Sequence, residues 1–298
     1  MPLADADDVP EIGLMSDLMT LTKARLSLLV IITTFVGFCM ASAQQLDWLR
    51  LLNAIFGTTL ATAAAGVLNQ WTERHVDRLM ERTKSRPLPA GRMNPSSALL
   101  LGIALTIAGV AWLWVTTNGL SAFLAAATVF VYLFLYTPLK RKTAFCTIVG
   151  AISGAIPPVI GWTAAQGDTP TVGLGAWVLF GILFAWQMPH FLAIAWMYRD
   201  EYAQAGFVML KRDDISGLIT ALTSLLFALA LGAICVVPFL AETHGRIYLA
   251  GALLLNAVLL YYAMQFLLDR NRITARRLFF TPILYLPVIL GLMVFTKF

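Results

Sequence analysis

Charge is what this chain has least of. Asp, Glu, Lys and Arg make up 12% of its 298 residues, against roughly 25% in a soluble globular domain. That shortage excludes a soluble domain. Cysteine is scarce too. Cys39, Cys146 and Cys235 are the only three, they fall in or near apolar runs, and no two share a ligand-like spacing. A disulfide framework and a thiolate metal site are therefore excluded, and the three read as small apolar residues. The basic start of a signal peptide and the Arg-rich, acid-poor character of a transit peptide are also missing. The first 22 residues carry Asp5, Asp7, Asp8, Glu11 and Asp17 instead. The expected home is the plasma (inner) membrane of a bacterial or archaeal cell.

What is present is hydrophobic length. Apolar residues make up 59% of the chain, and the mean hydropathy is +0.78. A helical crossing needs about 20 mostly apolar residues. Nine runs meet that need: 27–43, 51–69, 97–116, 121–138, 143–165, 172–197, 215–240, 247–268 and 278–295. They are too long and continuous for the alternating ten-residue strands of a membrane barrel. The predicted fold is all-α: a polytopic membrane protein of nine transmembrane helices around a central cavity. A short acidic segment, 1–22, precedes a single membrane domain, 23–298. Of the 21 Lys and Arg residues, 18 fall in the N-terminal segment and in the loops after the second, fourth, sixth and eighth runs. The other side holds Arg50, Arg246 and Lys297. The positive-inside rule then places the N-terminus in the cytoplasm. The net charge of +5 is accounted for by this asymmetry, so no nucleic-acid partner is implied.

The loop after the second run is the most informative segment. Asn69, Glu73 and Asp77 follow one another at four-residue steps. On a helix each step turns about 40° and climbs about 6 Å, so the three oxygen-bearing side chains share a face. Arg78, Arg82, Lys84 and Arg86 follow. Hard oxygen ligands beside phosphate-binding cations suit a magnesium–diphosphate complex. An ionisable cluster at the edge of an apolar bundle is a functional-site hypothesis by default. A second long polar loop carries Arg199, Asp200 and Glu201, then Lys211-Arg212-Asp213-Asp214.

These strings resemble a known family. Asn69-x-x-x-Glu73-x-x-x-Asp77 is similar to the first acidic motif of the UbiA-type intramembrane prenyltransferases. Asp77-Arg-Leu-Met80-Glu-Arg82-Thr83-Lys-Ser-Arg86-Pro87 looks like the branch of that family that farnesylates haem. Tyr136-Thr137-Pro138-Leu139-Lys140-Arg141, Pro157-Pro158-Val159-Ile160-Gly161-Trp162 and Trp186-Gln187-Met188-Pro189-His190-Phe191 extend the resemblance from Thr22 onward. Ala24, His75, Cys146 and the stretch Lys211–Asp214 depart from the pattern. The resemblance implies transfer of a farnesyl group from farnesyl diphosphate to a vinyl group of haem B, giving haem O and diphosphate. It also implies a Mg²⁺ cofactor and a cavity open to the cytoplasm and laterally to lipid. A haem A synthase or terminal oxidase assembly would take the product.

The resemblance and the residue chemistry together assign expected roles. Asn69, Glu73 and Asp77 are expected as metal ligands, with Asp200 and Glu201 as a second metal site facing the first. Arg82, Arg86, Lys140, Arg141 and Arg199 are expected to hold the diphosphate, Arg in bidentate fashion and Lys as a point charge. With the acidic triad, Lys140 counts among the catalytic groups, because charge grows on the leaving group as its bond breaks. His190 is a candidate haem ligand; its bland reading is a hydrogen-bonded structural histidine. Pro157, Pro158 and Gly161 are expected to kink their span and shape the acceptor cavity. Two other readings use the same residues: a prenyltransferase for an aromatic or quinone precursor, and a membrane transporter.

Overall fold

The computed structural model describes residues 13–42 and 45–298, so the acidic stretch before residue 13 lies outside the described residues. Helices follow one another as α1 (Leu14–Leu21), α2 (Ala24–Ala41), α3 (Trp48–Asp77), α4 (Pro95–Thr116) and α5 (Gly119–Phe130). A π-helical turn over Val131–Tyr136 leads into the short α6 (Thr137–Leu139). Then come α7 (Cys146–Ala155), α8 (Pro157–Ala165), α9 (Leu174–Met197), α10 (Arg199–Gln204), α11 (Leu218–Leu240), α12 (Arg246–Leu268) and α13 (Arg272–Phe295). Among the described residues no strand is formed beyond an isolated bridge between His244 and Lys297. Eight segments are long and apolar enough to cross a membrane, and the apolar part of α2, Ser27–Ala41, is shorter. The protein is a multi-pass helical membrane protein.

The helix ends follow local chemistry. Pro95 opens α4, and the Asn94 side chain caps it by accepting from the Ser96 amide at 2.8 Å. A proline at the first helical position and an Asn before it both relieve unpaired amides. Asn118 caps α5 through the Ser121 amide and donates to the Thr163 carbonyl of α8, so one amide both starts a helix and ties it to a neighbour. Pro157 divides the fifth apolar run into α7 and α8. A proline lacks the amide that would continue the ladder, and this break opens onto the central cavity, which Pro157 lines.

Helix α9 is the axis of the bundle, packed against α2, α7, α8, α11 and α13. Its buried face carries Leu179, Ile182, Leu183, Trp186 and Ala193. Two glycines let α2 and α8 touch backbone to backbone. A β-carbon on Gly37 would overlap the Pro158 carbonyl, and one on Gly161 would overlap that of Thr34. Outward, large apolar residues such as Leu100, Trp114, Phe123, Phe134 and Leu254 are exposed, the pattern of helices solvated by lipid tails.

At the charged end, α3 continues past its apolar stretch to Asp77. The helix α1 is strapped beside it. The Gln70 amide donates to the carbonyls of Thr20 and Leu21, and Arg92 grips the buried Asp17 with Nε and a terminal nitrogen. A bidentate guanidinium–carboxylate pair is strong and directional. It ties the loop between α3 and α4 to α1.

Candidate active site

A cavity of about 450 Å³ opens where α2, α3, the π-helical turn, α7 and α9 converge. Its mouth is polar. Asn69, Glu73 and Asp77 all line it, and all three are buried. The four-residue spacing on α3 is what brings them to one wall. Glu73 accepts two hydrogen bonds from Lys140 Nζ, at 2.9 and 3.1 Å. Asp77 accepts from Arg86 at 2.7 Å. Asn69 donates to Glu73 Oε2 at 3.0 Å and to Thr137 Oγ1 at 3.2 Å. Its Oδ1 in turn accepts from Lys23 Nζ at 2.7 Å, and Lys23 also donates to the Tyr132 hydroxyl at 3.0 Å. The result is one connected chain, Tyr132–Lys23–Asn69–Glu73–Lys140.

Its electrostatics are lopsided. Four cations, Lys23, Arg82, Arg86 and Lys140, line the cavity against two carboxylates, Glu73 and Asp77. Burial penalises the Lys140 ammonium, but the oxygens of Tyr136 and Glu73 outweigh that and hold its pKa above the ordinary lysine value. It stays charged throughout the physiological range. Lys140 also lies over the Tyr136 ring, 4.5 Å from its centre. Arg82 is exposed and reaches the Tyr202 hydroxyl at 3.4 Å, joining the two long loops over the cavity.

Its other walls are apolar and aromatic: Leu183, Trp186, Phe191, Ile194 and Leu286. Here His190 sits between the rings of Trp186 and Phe279, at 5.7 and 4.7 Å. Its Nδ1 is 3.0 Å from the Phe279 carbonyl oxygen. A carbonyl only accepts, so Nδ1 carries the proton and Nε2 keeps its lone pair.

The sequence profile of the UbiA prenyltransferase family matches residues 30–285. The chain belongs to that family. A protoheme IX farnesyltransferase of Solibacter usitatus is 45% identical over 292 residues, covering 95% of this chain and 99% of that protein. A digeranylgeranylglyceryl phosphate synthase has the same fold, with a TM-score of 0.80 at 16% identity, covering 95% of this chain and 98% of that one. So does a UbiA homolog from Archaeoglobus fulgidus bound to DMAPP and Mg²⁺, with a TM-score of 0.65 at 13% identity, covering 93% and 99%.

Within this UbiA fold the residues expected from sequence divide. Asn69, Glu73, Asp77, Arg82, Arg86, Lys140 and His190 line the one cavity. Arg141 is exposed and lies outside it. Arg199 and Asp200 line a neighbouring cavity, and Glu201 lines neither. The reason is local. The helix α9 ends at Met197, Tyr198 leaves helical geometry at φ −114° and ψ 21°, and α10 starts at Arg199. The Asp200 side chain is 88% exposed. Among the described residues no group of three His, Cys, Asp or Glu side chains assembles to hold a metal. The oxygen set on the cavity wall is two carboxylates and an amide.

Sequence reasoning assigned no site role to Lys23, Tyr132, Tyr136 or Gln187, all cavity residues. Lys23 belongs to the string Thr22-Lys23-Ala24-Arg25, which also resembles the family but carries no assigned role. It adopts a left-handed conformation at φ 53° between α1 and α2. A non-glycine residue is uncommon there, and the Lys23 ammonium reaches Asn69 Oδ1 at 2.7 Å. Tyr132 and Tyr136 stand on the π-helical turn. Such turns recur at functional sites, but nothing in the run Val131–Tyr136 marks one in advance.

Proposed function

We propose that the protein transfers the farnesyl group of farnesyl diphosphate to a vinyl group of haem B, giving haem O and diphosphate. The observation that carries this is one cavity that joins four cations and two buried carboxylates to apolar and aromatic walls with His190. Farnesyl diphosphate is amphipathic, and its diphosphate and its apolar chain would each be accommodated; the vinyl edge of haem would meet the apolar walls. The relatives named protoheme IX farnesyltransferase support the same reading.

The donor set at the mouth fits a magnesium ion. Magnesium takes one or two carboxylates and fills its remaining positions with water and substrate phosphate oxygens. Glu73 and Asp77 would supply the carboxylates and Asn69 an amide oxygen. When bound, the ion supplies positive charge to the diphosphate oxygens. The Mg²⁺ bound by the Archaeoglobus fulgidus homolog is consistent with that assignment.

The chain's own groups act around this. Arg82, Arg86 and Lys140 bind the diphosphate and stabilise the charge that develops on it as the carbon–oxygen bond breaks. Asn69, fixed by Lys23 and Thr137, keeps Glu73 oriented. The apolar walls around Leu183 and Trp186 exclude water from the allylic cation. The terminal vinyl carbon of the haem attacks the first farnesyl carbon. The cation left beside the porphyrin is captured by water, which loses a proton to give the hydroxyl. His190 offers its Nε2 lone pair to the haem iron, the tautomer for ligation being set by the Phe279 carbonyl.

The bundle is proposed to cross the inner membrane nine times, with the cavity mouth on the cytoplasmic side. Residues 23–298 would form the single catalytic domain, and a haem A synthase or terminal oxidase assembly would receive the product. The test is acceptor choice. Purified protein with farnesyl diphosphate and Mg²⁺ is given haem B or 4-hydroxybenzoate. Haem O and stoichiometric diphosphate are expected from the first and no product from the second. Prenylated hydroxybenzoate with unchanged haem B would overturn the reading.

A further inference from the structure

A second cavity, of about 600 Å³, lies beside the first at the charged end of the bundle. Ala195, Tyr202, Phe207 and Met209 line both cavities, so the two share a wall. The second is amphipathic. Trp196, Leu210 and Ile215 give it apolar sides, and Arg199, Lys211 and Arg212 bring cations to it.

Those cations are placed rather than neutralised. The Arg199 guanidinium stacks on the Trp196 ring, 4.1 Å from its centre, and meets Asp200 only at 3.7 Å. Such a stack holds the planar group while leaving its edge donors available. Arg212 has no ion pair among the described residues, and Lys211 pairs with the exposed Asp213 at 3.1 Å. Two carboxylates also line the cavity, Asp200 and Asp214. Asp214 is buried and fully used. Its oxygens accept from the amides of Ile219 and Thr220 and from the Thr220 hydroxyl, capping α11. Asp200 is turned to solvent. The cations therefore outnumber the acids and are the more available of the two.

One helix joins this cavity to the aromatic interior of the first. On α9, His190 faces the first cavity, Ala195 lines both, and Trp196 lines the second. Arg199 follows nine positions after His190, across the break at Tyr198 that ends α9. The cations of the first cavity already face two carboxylates and a diphosphate. A tetrapyrrole whose vinyl edge enters that cavity carries two carboxylates on its opposite edge, and these need counter-charges of their own.

We propose that the second cavity binds the carboxylate edge of the tetrapyrrole, with Lys211, Arg212 and Arg199 as its counter-charges. The inference rests on haem as acceptor and sets which haem species the enzyme admits. Esterified or amidated tetrapyrroles would be poor substrates, whatever their vinyl groups.

The experiment compares haem B with its dimethyl ester, using wild-type protein and the double variant Lys211→Gln/Arg212→Gln. Absorbance titration reads binding, and steady-state kinetics reads turnover. Esterification should weaken wild-type binding and raise KM about three- to tenfold, the range for two partly exposed charge pairs. The double variant should weaken haem B binding to the same degree and leave ester binding where it was. KM for farnesyl diphosphate should not move. Equal loss for haem B and ester in the variant would overturn the proposal in favour of a structural role. Equal binding of both by both proteins would overturn it too, and a variant defect appearing only in vesicles with anionic lipid would assign the cavity to headgroups. If titration shows the expected pattern but no farnesyl is transferred, the carboxylate site stands and the catalytic reading falls.

Discussion

At the scale of single residues, the cavity mouth is a set of buried charges that depend on one another. Removing one member of a buried ion pair is costly, about 3–5 kcal/mol, because its partner stays charged and unpaired. Lys140 and Glu73 are such a pair, with side chains 12% and 8% exposed. Arg86 is 21% exposed and can turn to water, so Asp77 is the cleaner probe. Asp77→Asn should lower turnover at least about 100-fold while the protein still elutes as a folded species in detergent. Glu73→Gln should lose activity similarly and also lose thermal stability. Normal haem O yield from both would remove these groups from the reaction. The aromatic interior makes a separate claim. His190→Ala should weaken haem B binding and change its Soret band, leave farnesyl diphosphate affinity in place, and respond to added imidazole. An unchanged spectrum and affinity would make His190 a structural residue.

At the scale of elements, what places the site is close backbone packing and broken helices. The cavity wall formed by α7 depends on the Pro157 break, and the position of α2 depends on Gly37 and Gly161. Gly161→Ala should cost about 1–3 kcal/mol by overpacking, lowering the thermal midpoint in detergent by a few degrees. Gly291→Ala, where a new β-carbon meets nothing within 4 Å, should leave the midpoint unchanged or slightly raised. Equal shifts would show that the α2–α8 contact is not as tight as described. Elements also decided what was legible in the sequence. The common face of Asn69, Glu73 and Asp77 follows from helical period alone, so it was readable. The contact of Lys23 with Asn69 spans 46 positions and depends on a left-handed turn that Lys does not advertise. That Arg199 and Asp200 line a neighbouring cavity was not readable, because sequence does not show α9 stopping at Met197 and α10 starting at Arg199.

At the scale of the whole molecule, a charge asymmetry is laid over an apolar bundle. Composition and run length made the helical membrane class legible. The partition of charge between the two ends also follows from sequence, because loops alternate sides whatever the packing between helices. The second cavity was not legible, since its walls come from α9, α10 and the loop before α11. In a cysteine-free background, Ser85→Cys and Asp213→Cys should resist a membrane-impermeant label applied outside intact cells, and Gln166→Cys should react. Labelling of Ser85→Cys from outside would reverse the proposed orientation.

The central claim is that a cavity with cations and carboxylates at its mouth farnesylates haem. It is tested most directly by extracting the haems from cells that lack their own haem farnesylation and express this protein. Chromatography with mass identification should show haem O in cells carrying the wild-type chain and only haem B in cells carrying Asp77→Asn. Haem B alone from the wild type, with the protein folded in the membrane and farnesyl diphosphate present, would contradict the account.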